Sequence, residues 1–230
     1  MVYLVNFCKY GLCRKNRITD ERYTALSSGL PVVSASKQTT GLVKLFEVGT
    51  RYFWIVALAF LVNGLALFIL FGIEARFEAI TGAPVFDTQN ELTRAQMMDQ
   101  LPLYAGSARQ IYWGFSAFDF VFPLIGSIFF ALFYAYVLRR LPWTGWLYRK
   151  RVYLLVLLVA LFDYMENIGF IWTLLSGVPP STAAMQFALF FKQLKLLSLG
   201  ASNFVALLLV GAFVAAWILR RQLPGIVHGD

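Results

Sequence analysis

The chain reads as an all-α integral membrane protein, a four-helix transmembrane bundle. Three observations predict this. Four apolar runs are each long enough to cross a bilayer. The composition is 59% hydrophobic and only 14% charged over 230 residues, whereas a soluble domain normally carries about a quarter charged residues. The basic residues gather in short clusters beside the apolar runs, the pattern of cytoplasmic anchoring. For that reason the formal charge of +8 does not point to nucleic acid, whose binding needs a continuous basic face.

Residues 1–50 mix Lys9, Arg14, Lys15, Arg17, Arg22, Lys37 and Lys44 with Ser, Thr, Gly and Pro, and read as a cytoplasmic N-terminal extension with an interfacial piece at Leu42 to Val48. Val2 to Phe7 is too short for the apolar core of a secretory signal. The transmembrane domain is expected over 51–221. Its first span, 52–73, is interrupted only by Asn63 and Gly64. About 20 residues at 1.5 Å each cover a hydrocarbon core of about 30 Å. Residues 74–112 form a polar outer loop with turn signals at Gly82-Ala83-Pro84 and a helical piece from Glu91 to Gln100, stopped by Pro102. The second span, 113–138, carries Asp119 and Pro123. The proline ring should remove the hydrogen bond to the Asp119 carbonyl and bend the helix there.

The link to the third span holds Arg139, Arg140, Arg149, Lys150 and Arg151 with no acid, and Trp143, Trp146 and Tyr148 as interfacial aromatics. The third span is 152–175. A short uncharged link with Gly177, Pro179 and Pro180 leads to the fourth, 183–219, which exceeds what a membrane needs and should tilt, kink near Gly200 or project into water. Residues 222–230 are a cytoplasmic tail. Lys and Arg mark the cytoplasmic side, so both termini are expected inside, and 74–112 outside.

The stretch Phe162-Asp163-Tyr164-Met165-Glu166-Asn167 sets two carboxyls and a carboxamide inside the third span. At i, i+3 and i+4 they share one helix face, which cannot look at lipid. Asp119 on the second span and Lys192 and Lys195 on the fourth lie at overlapping depths, so one shared polar site is expected. A lone charge there costs at least about 2.5 to 3.5 kcal/mol, which calls for pairing, with Glu166 as the first partner to test for Lys192 and Asp119 or Asp163 as the alternatives. Three acids against two lysines leave one negative charge; Arg109, just above the second span, is a candidate to balance it. Asp163 is the acid expected to change protonation, because Glu166 shares its face.

The order Gly106-x-x-Arg109-x-x-Tyr112, Asp119-x-x-Phe122-Pro123, Asp163-Tyr164-x-Glu166-Asn167 and then Lys192 resembles a family of uncharacterised bacterial four-span membrane proteins. The resemblance covers roughly residues 100–202 and implies a single site at these positions and a bacterial inner membrane as the home. It implies no activity, cofactor or catalytic assignment.

Several chemistries are disfavoured. Cys8 and Cys13 have no further Cys or His nearby for a metal site, and His228 is the one histidine, which argues against paired-histidine haem ligation and Ser-His triads. An aspartyl protease would need Gly-x-Gly-Asp, and CDP-alcohol transferases a repeated-aspartate motif; both are missing. A Ser198 and Lys195 pair is conceivable for serine chemistry. Mg²⁺ or Ca²⁺ would suit Asp119, Asp163 and Glu166, but two lysines in the pocket argue against a metal, and no cofactor is expected. The leading expectation is a polar pocket, open toward the outer face, that binds or transports a small charged solute, ion, proton or lipid headgroup. A membrane-embedded enzyme acting on a lipid and a structural or accessory subunit are the alternatives. Membrane lipids are expected partners, with no nucleic acid; an oligomer or partner subunit is left open.

Overall fold

The computed structural model describes residues 41–222 apart from Pro142 and Val178, so the expectations for residues 1–40 and for 223–230 lie outside the described residues. Among the described residues the regular structure is helical, and four helical stretches are long and apolar enough to cross a membrane: Phe53–Thr81, Gly106–Arg140, Val152–Leu175 and Thr182–Leu219. The predicted all-α four-span architecture is therefore present.

A short helix α1 (Gly41–Gly49) precedes α2 (Phe53–Thr81). Phe46 of α1 is buried against Tyr153, and Arg140 holds the α1–α2 junction by donating to the carbonyls of Thr50 and Arg51. Most of α2 faces outward with Trp54, Leu58, Phe60, Leu65 and Phe68 exposed, while Val56, Ala66, Leu70 and Phe77 are buried. That asymmetry is what a peripheral helix needs where the solvent is hydrocarbon and there is no gain in hiding Leu or Phe from it.

The first and second spans both run further than expected. Helix α2 continues to Thr81, where Gly82 ends it in the left-handed conformation (φ 73°) with its N–H on the Glu78 carbonyl, the αL cap that glycine permits without strain. The second span starts at Gly106. Residues 82–105 between them are not an open loop. A 3₁₀ turn (Phe86–Thr88), helix α3 (Arg94–Gln100) and a second 3₁₀ turn (Leu101–Leu103) fold over the helix ends. Thr93 and Gln96 close a reciprocal capping box at the start of α3. Val85, Phe86, Met97 and Tyr104 bury themselves with Phe77, Tyr112, Phe115 and Phe170 in one aromatic core. The Tyr104 ring stacks 4.3 Å from Phe86 and lies 4.8 Å from Phe77, and its hydroxyl accepts the Phe86 N–H at 2.9 Å.

The second span keeps a helical backbone through Phe120 and Val121, but its hydrogen-bond ladder is interrupted at Pro123, as the proline predicts. Helix α4 (Gly106–Asp119) ends at Asp119, two residues turn, and α5 (Phe122–Arg140) begins with Pro123 in its first turn. There the missing N–H is one the helix would leave unpaired anyway. After α6 (Gly145–Arg149) and a 3₁₀ segment (Val152–Val156) the chain enters α7 (Leu157–Leu175), then α8 (Thr182–Gln222). Helix α8 runs without interruption through Gly200. Its 41 residues span about 60 Å, twice a hydrocarbon core. The α7–α8 packing is the tightest seam: a Cβ at Gly169 would lie 2.7 Å from the Ala188 Cα, so only glycine allows this approach. Farther along, the Tyr134 hydroxyl donates to the Ser202 carbonyl at 2.5 Å, tying α5 to α8.

Candidate functional site

The close α7–α8 seam brings the i, i+3 carboxyls of α7 against the i, i+3 lysines of α8. Glu166 and Lys192 are both buried. The Lys192 Nζ donates to Glu166 Oε1 at 3.1 Å, to the Phe86 carbonyl at 3.1 Å and to the Asp87 carbonyl at 2.8 Å. An ammonium has three N–H donors, and each has an acceptor. The 3₁₀ turn of residues 86–88 thus supplies two carbonyls that complete the solvation of a buried cation. The Phe170 ring adds a face 5.7 Å away.

One turn along α8, the Lys195 Nζ lies 2.6 Å from Asp163 Oδ1 and 2.5 Å from Glu166 Oε2. The second contact is ionic without hydrogen-bond alignment, so Glu166 Oε2 has ionic but no hydrogen-bonded partner. Glu166 therefore bridges the two lysines, one on each oxygen.

Asp119 is buried and paired differently. The Asn167 Nδ2 donates to Asp119 Oδ2 at 2.9 Å and more weakly to the Asp119 carbonyl at 3.4 Å. That carbonyl is the one that Pro123, which has no N–H to donate four residues on, leaves free. A carboxamide from the third span thus occupies the position where the sequence left room for a ligand.

A fourth acid joins these three. Asp87, from the 3₁₀ turn, is buried and accepts the Tyr112 hydroxyl on Oδ2 at 3.3 Å, while its Oδ1 has no hydrogen-bond partner. Burial is the main force pushing its pKa up to about 7, with the neighbouring Glu166 carboxylate adding to it and Lys195 and Lys192 opposing. Burial also raises the Tyr104 hydroxyl pKa, and Asp87 adds to that rise. Asp87, Asp119, Asp163 and Lys195 line a cavity of about 210 Å³. The cavity extends away from the 82–105 segment between α2, α5, α7 and α8, past Asn63, Ser127 and Ser202. Asn63 Oδ1, buried, likewise has no partner. Among the described residues Asp87 and Asp119 form no ion pair.

Of the residues expected at the site, Asp119, Asp163, Glu166, Asn167, Lys192 and Lys195 come together. Arg109 does not: it is exposed, with its guanidinium 5.9 Å from the Trp113 ring. It stands ten residues, nearly three turns, before Asp119 on the same helix, too far to balance the cluster. Asp163 holds Lys195 directly, so the acids left without a cation are Asp119 and Asp87. On the side of residues 82–105 the cavity is lined by Asp87 and Thr88, and the carbonyls of Phe86 and Asp87 are held by Lys192. Asp87 escapes a sequence reading because it sits in a segment of turn signals. The signal present is Val85-Phe86, an apolar pair inside a polar loop. Asn63 carried a plainer one, a carboxamide within the first span.

Fold and site together define a helical protein with four helices long and apolar enough to span a membrane and a buried charge cluster between them. No protein-family model, curated protein or solved structure matches the chain.

Proposed function

We propose that the protein binds a small cation, or protons, in the cavity beside Asp87, Asp119 and Asp163, and that binding proceeds by exchange of internal charge pairs. The carrying observation is the charge balance. Four buried carboxyls, Asp87, Asp119, Asp163 and Glu166, face two lysines, which leaves a formal −2 with all groups ionised. Both unpaired acids line the cavity. A low-dielectric site cannot hold two uncompensated carboxylates without protons or an incoming cation. In the exchange, the incoming cation takes the Asp87 and Asp119 oxygens, and Lys195 stays with Asp163 or yields it. Lys192, with all three donors used, is the fixed clamp.

A thermal-unfolding series on the purified protein, from about pH 5 to pH 9 with chloride salts of inorganic and organic cations, tests this. The melting temperature should depend on the cation, and Asp119→Asn should remove most of that dependence. A wild-type melting temperature indifferent to every cation and to pH would leave the cluster a structural core and favour an accessory-subunit role.

The reading includes an orientation, both termini cytoplasmic in a bacterial inner membrane, supported by the Lys/Arg asymmetry and by the motif resemblance. In a background without Cys8 and Cys13, Glu91→Cys should label from outside intact cells and Lys150→Cys should not. The opposite pattern would invert the protein.

A further inference from the structure

Resting on the cation-binding reading of the cavity, we infer that its ligand is an organic ammonium with an apolar body, such as a short alkylamine or arylalkylamine. The walls divide into two chemistries. Among the lining groups are acceptors short of a donor or of a cation: Asp87 Oδ1, which has no hydrogen-bond partner although its residue is 91% buried, and Asp119, which accepts from the Asn167 carboxamide but has no ion-pair partner. Asn63 Oδ1 is a further orphan acceptor on the wall. Most of the remainder is apolar or aromatic, including Phe115, Phe122 and Phe130, with the hydroxyls of Thr88, Ser127 and Ser202 and the Asp163–Lys195 pair set among it.

A bare inorganic cation asks for the reverse. Mg²⁺ or Ca²⁺ takes six or more oxygens converging on a point, and no group of three or more His, Cys, Asp or Glu side chains among the described residues could hold a metal ion. Lys195 also occupies the space between Asp163 and Glu166 where carboxyls do converge. An ammonium with a carbon body satisfies both ends: its N–H groups supply the donors that the orphan oxygens lack, and its body fills the apolar part, with ring faces able to attract the charge. A volume of about 210 Å³ is below the roughly 300 to 1,000 Å³ of drug-sized sites, which points to one short amine rather than a polyamine or a whole lipid.

The test is a homologous series, methylammonium to hexylammonium, with benzylammonium, hexanol, NaCl and KCl as comparisons, read by thermal unfolding and by calorimetric Kd on the full chain in detergent. Kd should tighten about fourfold per added methylene until the cavity is full. Hexylammonium at a hundredfold excess over its Kd should raise the melting temperature by about 5 to 10 °C, with hexanol and the alkali salts without effect. Asp119→Asn should abolish the response. If that variant does not fold, the chain-length dependence and the hexanol comparison decide. Stabilisation by Na⁺, K⁺ or acid alone, with none from amines, would overturn the ammonium inference and leave the cation-site reading standing. Equal stabilisation by hexanol, or no response to any cation, would overturn both.

Discussion

Lys192 and Lys195 stand three residues apart on one helix and share the two oxygens of Glu166, yet their surroundings differ. On the side of residues 82–105 the ammonium of Lys192 is enclosed by two carbonyls, a carboxylate and an aromatic face, within the aromatic core of Phe86, Tyr104, Tyr112 and Phe170. On the other side Lys195, 14% exposed at its side chain, borders a cavity with more acceptors than donors. The comparison separates two uses of buried charge. A cation whose every proton has a protein acceptor fixes how elements pack and has nothing left to offer a ligand. Buried acids without a paired cation are a standing cost, and they mark the half of the cluster able to respond to a solute.

The largest test of that division is Lys192→Met, which strips Glu166 Oε1 and two loop carbonyls of their donor together. A loss of about 3 to 5 kcal/mol is expected in denaturant titration in detergent. Adding Glu166→Gln should recover only part of it, because the carbonyls of Phe86 and Asp87 stay orphaned. Full recovery in the double-mutant cycle would show that those carbonyls contribute nothing and that the loop does not close the cluster.

Next comes the pH response of Asp87. Its carboxyl is held near pKa 7 in the folded chain against an ordinary 3.8. Below about pH 4 it is protonated in both states and contributes no difference. From there to about pH 7 the unfolded chain gives up a proton that the folded chain keeps. Stability therefore falls as pH rises through this window and levels off above it, by at most about 4 kcal/mol. Asp87→Asn should flatten this part of the profile. An unchanged slope would move the titration to other groups of the cavity.

The smallest effect belongs to the loop alone. Thr93→Ala removes the hydroxyl that accepts the Gln96 N–H, while the backbone N–H of residue 93 can still donate to Gln96 Oε1, and should cost about 1 kcal/mol without altering the cation response. A changed response would mean that α3 is coupled to the cavity and that the two halves are less separate than their contacts indicate.

Much of this was legible in the sequence because helices and lipid impose local rules. Span number follows from apolar length, and the shared face of Asp163, Glu166 and Asn167 from the 3.6-residue period. That Lys192 pairs with an acid, Glu166 the first to test, follows from overlapping depth and the cost of unpaired charge. The extent of α2 was harder, since its last turns are held by burial of Phe77 in the aromatic core of residues 82–105 rather than by apolar run length. Arg109 was misassigned because sequence distance along a helix gives height, and height alone does not bring a side chain back to a cluster nearly three turns below. What only the tertiary structure decided is the loop's part. The carbonyls of Phe86 and Asp87 reach Lys192 across more than a hundred residues. Backbone carbonyls are the same in every sequence, so no residue pattern announces which of them will face a buried ammonium. The sequence by itself determined that charge is buried among four spans; the fold of residues 82–105 decided which half of that charge is sealed and which half lines a cavity.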